Sequence, residues 1–187
     1  MTDVLIQNAR LIDPASQTDS HGDCLIREGR IAELSDQPNT LKAPKGAEII
    51  NANGHVLTPG IIDMRVQSCH PGAAHRETPQ SLANAAIKSG ITSIICLPNT
   101  YPVLDDPEML LSQCRMMSGL STAGQDLRVY SYGAATVGLK GEAMAELGLL
   151  AEAGAVGFTD ATKTIANSLT MRRVLSYASM LNRPVIQ

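Results

Sequence analysis

Asp63-Met64-Arg65-Val66-Gln67 directly follows Leu57-Thr58-Pro59-Gly60-Ile61-Ile62, so an apolar strand ends in charged and polar side chains. Arg65 brings a permanent positive charge and no lone pair, and such a group repels a metal cation instead of binding it. A little further on, Cys69-His70 invites a thiol–imidazole dyad for nucleophilic catalysis. Adjacent side chains of an extended segment point to opposite faces, however, so ordinary loop residues are the simpler account. Cys69, His70, His75 and Asp160 could share a metal if the fold gathers them, although their spacing fits no zinc template. Asp105-Asp106 reads as a helix cap and not as a carboxylate pair for acid–base work. Gly133, Gly138 and Gly141 surround a loop that lacks the strand-GxGxxG-helix context of a phosphate cradle. His21 and His55 fall in turns and read as solvated, while Met116-Met117 reads as helix packing.

The elements that must position these residues change character near Pro59. Before it, short strands are expected at Val4-Ile6, Arg10-Ile12, Cys24-Arg27, Arg30-Leu34, Glu48-Ile50 and His55-Leu57. Glu28-Gly29 is a two-residue hairpin loop, Asn53-Gly54 a second turn, and residues 36–46 a polar surface loop. These segments predict a small β-sandwich unit over residues 1–58. From residue 59 to residue 187 strands alternate with helices, with strand starts near Ile61, Ile91, Leu127, Ala155 and Pro184. That spacing of about 30 residues is the period of a TIM-like (β/α) barrel. Thr78 caps a helix opening at Pro79 and stopped by Gly90, and Asp106-Pro107 opens the next. A third helix is expected from about Glu142 to Ala153, and a fourth after Asn167 or Ser168. The fold class is therefore α/β: the first four βα units of a barrel and the start of its fifth strand. Such a set cannot close an eight-stranded barrel, so a longer parent chain is expected, ahead of a partner or a second copy covering the open half.

Composition bounds the function. The 187 residues are 44% hydrophobic and 18% charged, with a net charge of −3, and offer no basic stripe for nucleic acid. No apolar run spans a bilayer and no signal-peptide core follows Met1, so a cytoplasmic address without membrane partners is expected. Cys24, Cys69, Cys96 and Cys114 are scattered without CxxC spacing and read as free thiols. With no Trp and one Phe the core must be aliphatic.

Pro59-Gly60-Ile61-Ile62-Asp63-Met64-Arg65-Val66-Gln67-Ser68-Cys69-His70-Pro71-Gly72 resembles the P-G-x-x-D-x-H-x-H-x-R-E-P-G opening of dihydroorotases, in the amidohydrolase superfamily. Glu77-Thr78, the run from Gly90 to Thr100 with its Pro98-Asn99-Thr100, and Ala153-Gly154-Ala155-Val156-Gly157-Phe158-Thr159-Asp160 extend the likeness over nearly the whole chain. Allantoinases and hydantoinases share the frame. The resemblance implies hydrolysis of a cyclic amide C–N bond by metal-activated water, held by imidazoles and a bridging carboxylate. On that pattern the first imidazoles fall at Arg65 and Gln67, the bridging carboxylate at Ala161, and the next imidazole just beyond Gln187. Lys163 is a conceivable surrogate bridge, yet it lies past its strand and is expected to be exposed. The arginine that grips the substrate carboxylate falls at Cys69 and the glutamate after it at His70, whereas Asn99 matches a substrate-contacting asparagine.

Read this way, the chain has no catalytic residue and no metal ligand at the inspected positions, and no zinc is expected. Arg65 is expected to occupy the vacated metal space and to pair with Asp63 or Asp160. Inactive homologues in this family are similar to subunits that hold aspartate transcarbamoylase in its assembled form, so the resemblance implies a scaffold role in pyrimidine synthesis. The alternatives are a working cyclic amidohydrolase with a rearranged or single-metal site, and a truncated, inactive remnant.

Overall fold

The computed structural model describes residues 2–122 and 124–187. The chain divides into two compact units, Met1–Pro59 and Gly60–Gln187. In the first, β1 (Val4–Asp13), β2 (Thr18–Arg27), β3 (Arg30–Ser35) and β4 (Glu48–Asn51) lie in the order β3-β2-β1-β4, and β5 (Val56–Leu57) also pairs with β1. Glu28 and Gly29 close the β2–β3 hairpin with φ of 49° and 74°, both positive, as a two-residue primed turn requires. The Asp13 carboxylate shapes the β1–β2 turn by accepting from the Ala15 N–H at 3.0 Å and the Ser16 hydroxyl at 2.7 Å.

The sandwich expected over residues 1–58 is corrected to a single mixed sheet. Val4-Ile6 and Arg10-Ile12 belong to one strand, whose register slips between Ile6 and Ala9 where Asn8 adopts φ 56°, a bulge. With β1 continuous, all five strands find their hydrogen bonds in one layer. Ala9, Leu11 and Cys24 are buried with Ile6, Ile26, Ala52 and Leu57 packed against them. Ile31 and Leu34 of β3 stay exposed beside an apolar groove of about 250 Å³. The polar loop is anchored by Asp23, a buried carboxylate that accepts from the N–H groups of Asn8 (3.0 Å), Asn39 (2.9 Å), Thr40 (2.7 Å) and Leu41 (3.0 Å). Burial pushes its pKa up, but the four donors together outweigh that and hold it below the ordinary value.

The second unit has α/β architecture. Its elements are β6 (Ile61–Val66), α1 (Pro79–Lys88), β7 (Ile91–Cys96), α2 (Pro107–Met116), β8 (Ser121–Thr122), β9 (Gln125–Asp126), β10 (Arg128–Ser131), β11 (Gly133–Ala134), α3 (Leu147–Glu152), β12 (Phe158–Thr159), α4 (Ser168–Met180) and β13 (Val185–Ile186). One parallel sheet runs β10-β7-β6 and another β11-β12-β13, while β8 and β9, which lie between β7 and β10 in the chain, form a small antiparallel pair. A main-chain bond from the Val156 N–H to the Ser131 carbonyl at 3.1 Å links the approach to β12 with β10, and one from Gly133 to Gly157, also 3.1 Å, extends the β11–β12 pairing.

Three helices open on the residues that their sequence marks for it. Thr78 and Ser81 form a reciprocal capping box before α1, Asp106 accepts from the N–H groups of Glu108 and Met109 at α2, and Asn167 does the same for Leu169 and Thr170 at α4. The third helix is shorter than expected from Glu142 to Ala153. Ala143 and Ala145 are drawn into main-chain bonds with Val137 and Ala135, and Thr136 bridges Met144, so this strongly helix-forming stretch pairs as a ribbon. The core behind it gathers Leu104, Leu110, Leu147, Leu150, Val174 and the lone Phe158, all with 0% exposure. Thr170, Val174 and Ala178, spaced four apart, are the buried face of α4.

Candidate functional site

Arg65 links the end of β6 to the residues just after β12. Its main-chain N–H donates to the Asp63 carboxylate at 3.0 Å, and its guanidinium Nη2 reaches across to the Ala161 carbonyl oxygen at 3.1 Å. The expected ion pair with Asp63 or Asp160 is therefore corrected: the guanidinium binds a neutral peptide oxygen. The reason is that Asp160 is already committed. It is buried, and its two oxygens accept from the Thr136 N–H at 2.9 Å and from the Thr136 hydroxyl, whose oxygen in turn accepts from Gly141 N–H at 2.9 Å. Ala161 sits in the left-handed region at φ 60°, with its N–H on Thr159 Oγ1 at 3.0 Å. Its methyl group is buried against Leu97 and Tyr132, with Ile95, Val156 and Ile186 packed around them.

A second feature lies beside this cluster, between the loops that follow β6 and β7. Gln67, Cys69, Gly72, Arg76, Asn99 and Tyr101 border a pocket of about 140 Å³. The walls are held together closely. A side chain at Gly72, where φ is 103°, would place its Cβ only 2.6 Å from the Tyr101 carbonyl oxygen, and the Tyr101 N–H donates to Pro71 at 3.3 Å. The Asn99 carboxamide oxygen is buried in this wall without a hydrogen-bond partner among the described residues.

The other residues singled out by sequence do not join these groups. Among the described residues, no three His, Cys, Asp or Glu side chains are placed to share a metal ion, so Cys69, His70, His75 and Asp160 do not assemble one. His75 and Lys163 are exposed, and the buried Nδ1 of His70 has no hydrogen-bond partner among the described residues. Asp106 caps α2, but Asp105 does something else: its carboxylate accepts from the Gly138 N–H at 2.8 Å. The N–H groups of Gly138 and Gly141 are thus both taken by side chains, which leaves them no phosphate to cradle. The Cys96 thiol is pushed up to about 12 by burial and by the nearby Cys114, and burial raises Cys24 and Cys114 as well, so none of these three is a poised nucleophile. Sequence reasoning missed Arg76 and Thr136. Arg76 is one charge in a polar loop, and Thr136 follows an alanine pair with no local pattern; Arg76 gains its pocket from Asn99 and Tyr101, and Thr136 its hook from Asp160.

The fold is an α/β one, and solved hydantoinases share it. The structure superposes on L-hydantoinase (dihydropyrimidinase) from Arthrobacter aurescens with a TM-score of 0.76 at 22% identity, covering 99% of this chain and 40% of that one. For D-hydantoinase from Thermus sp. the TM-score is 0.60 at 23% identity, over 97% and 39% of the two chains. Residues 54–186 match the dihydro-orotase-like family model, and the chain belongs to that family. It is 38% identical over 183 residues to a dihydroorotase of Pelobacter propionicus and 40% identical over 187 residues to one of Solibacter usitatus. Each alignment covers 98% of this chain, which spans 42% and 41% of those relatives' length.

Proposed function

We propose that this chain is a catalytically degenerate form of the dihydroorotase-like fold, built on the first half of a (β/α) barrel, and that it serves as a non-catalytic partner holding aspartate transcarbamoylase in its assembled form. The observation that carries the loss of catalysis is the Arg65 guanidinium bonded to the Ala161 carbonyl. The guanidinium stands between the two strand ends, where it brings a permanent positive charge and no lone pair for a metal ion.

The divalent metals implied by the resemblance do not fit these residues. Arg65 has no lone pair, Gln67 offers only a neutral carboxamide, and Ala161 presents a methyl group packed against Leu97 and Tyr132. Asp160 stands next to Ala161, but both its oxygens are engaged by Thr136. No hydrolytic step is therefore routed through a metal here. The assembly role is supported by the retained frame, since a scaffold needs an outer surface and not a working centre.

Two measurements test this. Elemental analysis of freshly purified protein, with an assay of dihydroorotate ring opening, is expected to find neither stoichiometric zinc nor turnover; both together would defeat the degenerate reading. Size exclusion with aspartate transcarbamoylase at micromolar concentration is expected to show a joint peak, and clean separation would defeat the assembly role.

A further inference from the structure

We propose that the turn Asn53-Gly54 is a site of spontaneous deamidation, and that its isoaspartyl product unlatches β5 from β1. Asparagine is among the chemically labile residues, and it reacts most readily before glycine, whose missing Cβ lets the next main-chain nitrogen approach the carboxamide. Asn53-Gly54 is the one Asn-Gly pair in the sequence. Both residues are exposed and stand at the centre of a turn, with φ of 50° and 80°, closed by the His55 N–H on the Ala52 carbonyl at 2.8 Å. Water has room to reach them: within 4 Å, among the described residues, a Cβ on Gly54 would meet only His21 Nε2, at 3.9 Å.

The Gly54 nitrogen attacks the Asn53 side-chain carbonyl carbon: a C–N bond forms, the bond to the NH₂ group breaks, and ammonia leaves with the Gly54 amide proton. Water then opens the cyclic imide. Opening at the new bond gives aspartate in the original main chain, and opening at the former peptide bond gives isoaspartate, whose main chain is one methylene longer. In the closed turn the Gly54 N–H is committed to the Asn8 carbonyl at 2.7 Å, so the reaction waits for that bond to open. Little holds it closed, because β5 is two residues long, pairing Val56 with Arg10 and Leu57 with Leu11, and Val56 is 55% exposed. The added methylene falls between two anchors, the Ala52 N–H on the Gln7 carbonyl at 2.8 Å and the Arg10 N–H on the His55 carbonyl at 3.0 Å. β5 then loses its register on β1, and Leu57 is drawn away from Ala9, Leu11 and Cys24.

The test holds the purified 187-residue chain at physiological temperature and mildly alkaline pH for days and maps its peptides by mass spectrometry. Replacement of NH₂ by OH is expected at Asn53, with an isoaspartyl fraction, about tenfold or more slower than in a synthetic peptide of residues 50–57, because opening of the turn gates it. Asn167-Ser168 is the internal comparison: its carboxamide oxygen accepts from the Leu169 and Thr170 N–H groups, and it should stay intact over the same time. In the separated isoaspartyl protein the Arg10 amide should lose its protection from hydrogen exchange. Freshly purified Asn53→Asp, which brings the charge without the methylene, should keep it, and Asn53→Ser should abolish the mass change. The proposal is overturned by an intact Asn53 in the folded chain, by a rate equal to the peptide's, by earlier reaction at Asn167, or by a protected Arg10 amide in the isoaspartyl protein.

Discussion

Asp23 and Arg65 both satisfy main-chain groups, one as an anion and the other as a cation, and burial decides how much each contributes. Asp23 is fully buried, with Oδ1 serving Asn8 and Asn39 and Oδ2 serving Thr40 and Leu41. Asp23→Asn keeps the first pair and turns an NH₂ group on the second, so a loss of about 3 kcal/mol at neutral pH is expected from urea unfolding. The folded-state pKa lies below the unfolded value of 3.8, so the carboxylate's contribution is fully present above that value. It disappears as the pH falls through the folded value. Wild type and Asp23→Asn should therefore differ at pH 7 and converge in strong acid. Arg65 is exposed and makes one bond to a neutral oxygen, so Arg65→Ala should lower the unfolding free energy from urea titration by only about 1 kcal/mol or less. A larger loss would mean that the guanidinium holds more than the Ala161 carbonyl.

At the level of elements, the pocket wall depends on a close approach of two loops. Gly72→Ala would drive a Cβ to 2.6 Å from the Tyr101 oxygen and would ask an alanine to hold φ 103°, so a destabilisation of about 1–3 kcal/mol is expected, read as a lower thermal unfolding midpoint. An unchanged midpoint would show that the loop can yield. Helix starts were legible in the sequence because their signals are local: Thr78-Pro79, Asp106-Pro107 and Asn167 each carry the capping atom within three residues of its donor. The extent of α3 was not legible, because Ala143 and Ala145 are held by Val137 and Ala135, and no local propensity announces that pairing. The same distinction divides the site. Arg65, Gln67 and Ala161 could be read from a continuous motif, whereas the bond from Arg65 to Ala161 spans 96 positions and the Thr136–Asp160 hook spans 24. The bulge at Asn8 was hidden for a related reason: two apolar segments with a polar gap look like two strands until Asp23 is seen to take the Asn8 N–H.

For the molecule as a whole, the edge strand β6 is the exposed liability. Ile61, Ile62 and Met64 are 56%, 60% and 64% exposed, and β6 is the last strand of its sheet. An apolar edge without a further strand among the described residues invites association, so concentration-dependent light scattering of the 187-residue chain is expected and Ile62→Lys should reduce it. Equal scattering by the two proteins would move the liability elsewhere, to the exposed Ile31 and Leu34 of β3 for instance. The order of the parallel strands bears on how the protein is made. Because β7 joins β6, β10 joins β7, β12 joins β11 and β13 joins β12, each of these later strands meets a partner that has already left the ribosome. Synthesis can thus build this unit from one end to the other, and a pause in translation would leave a shorter sheet, not a tangle.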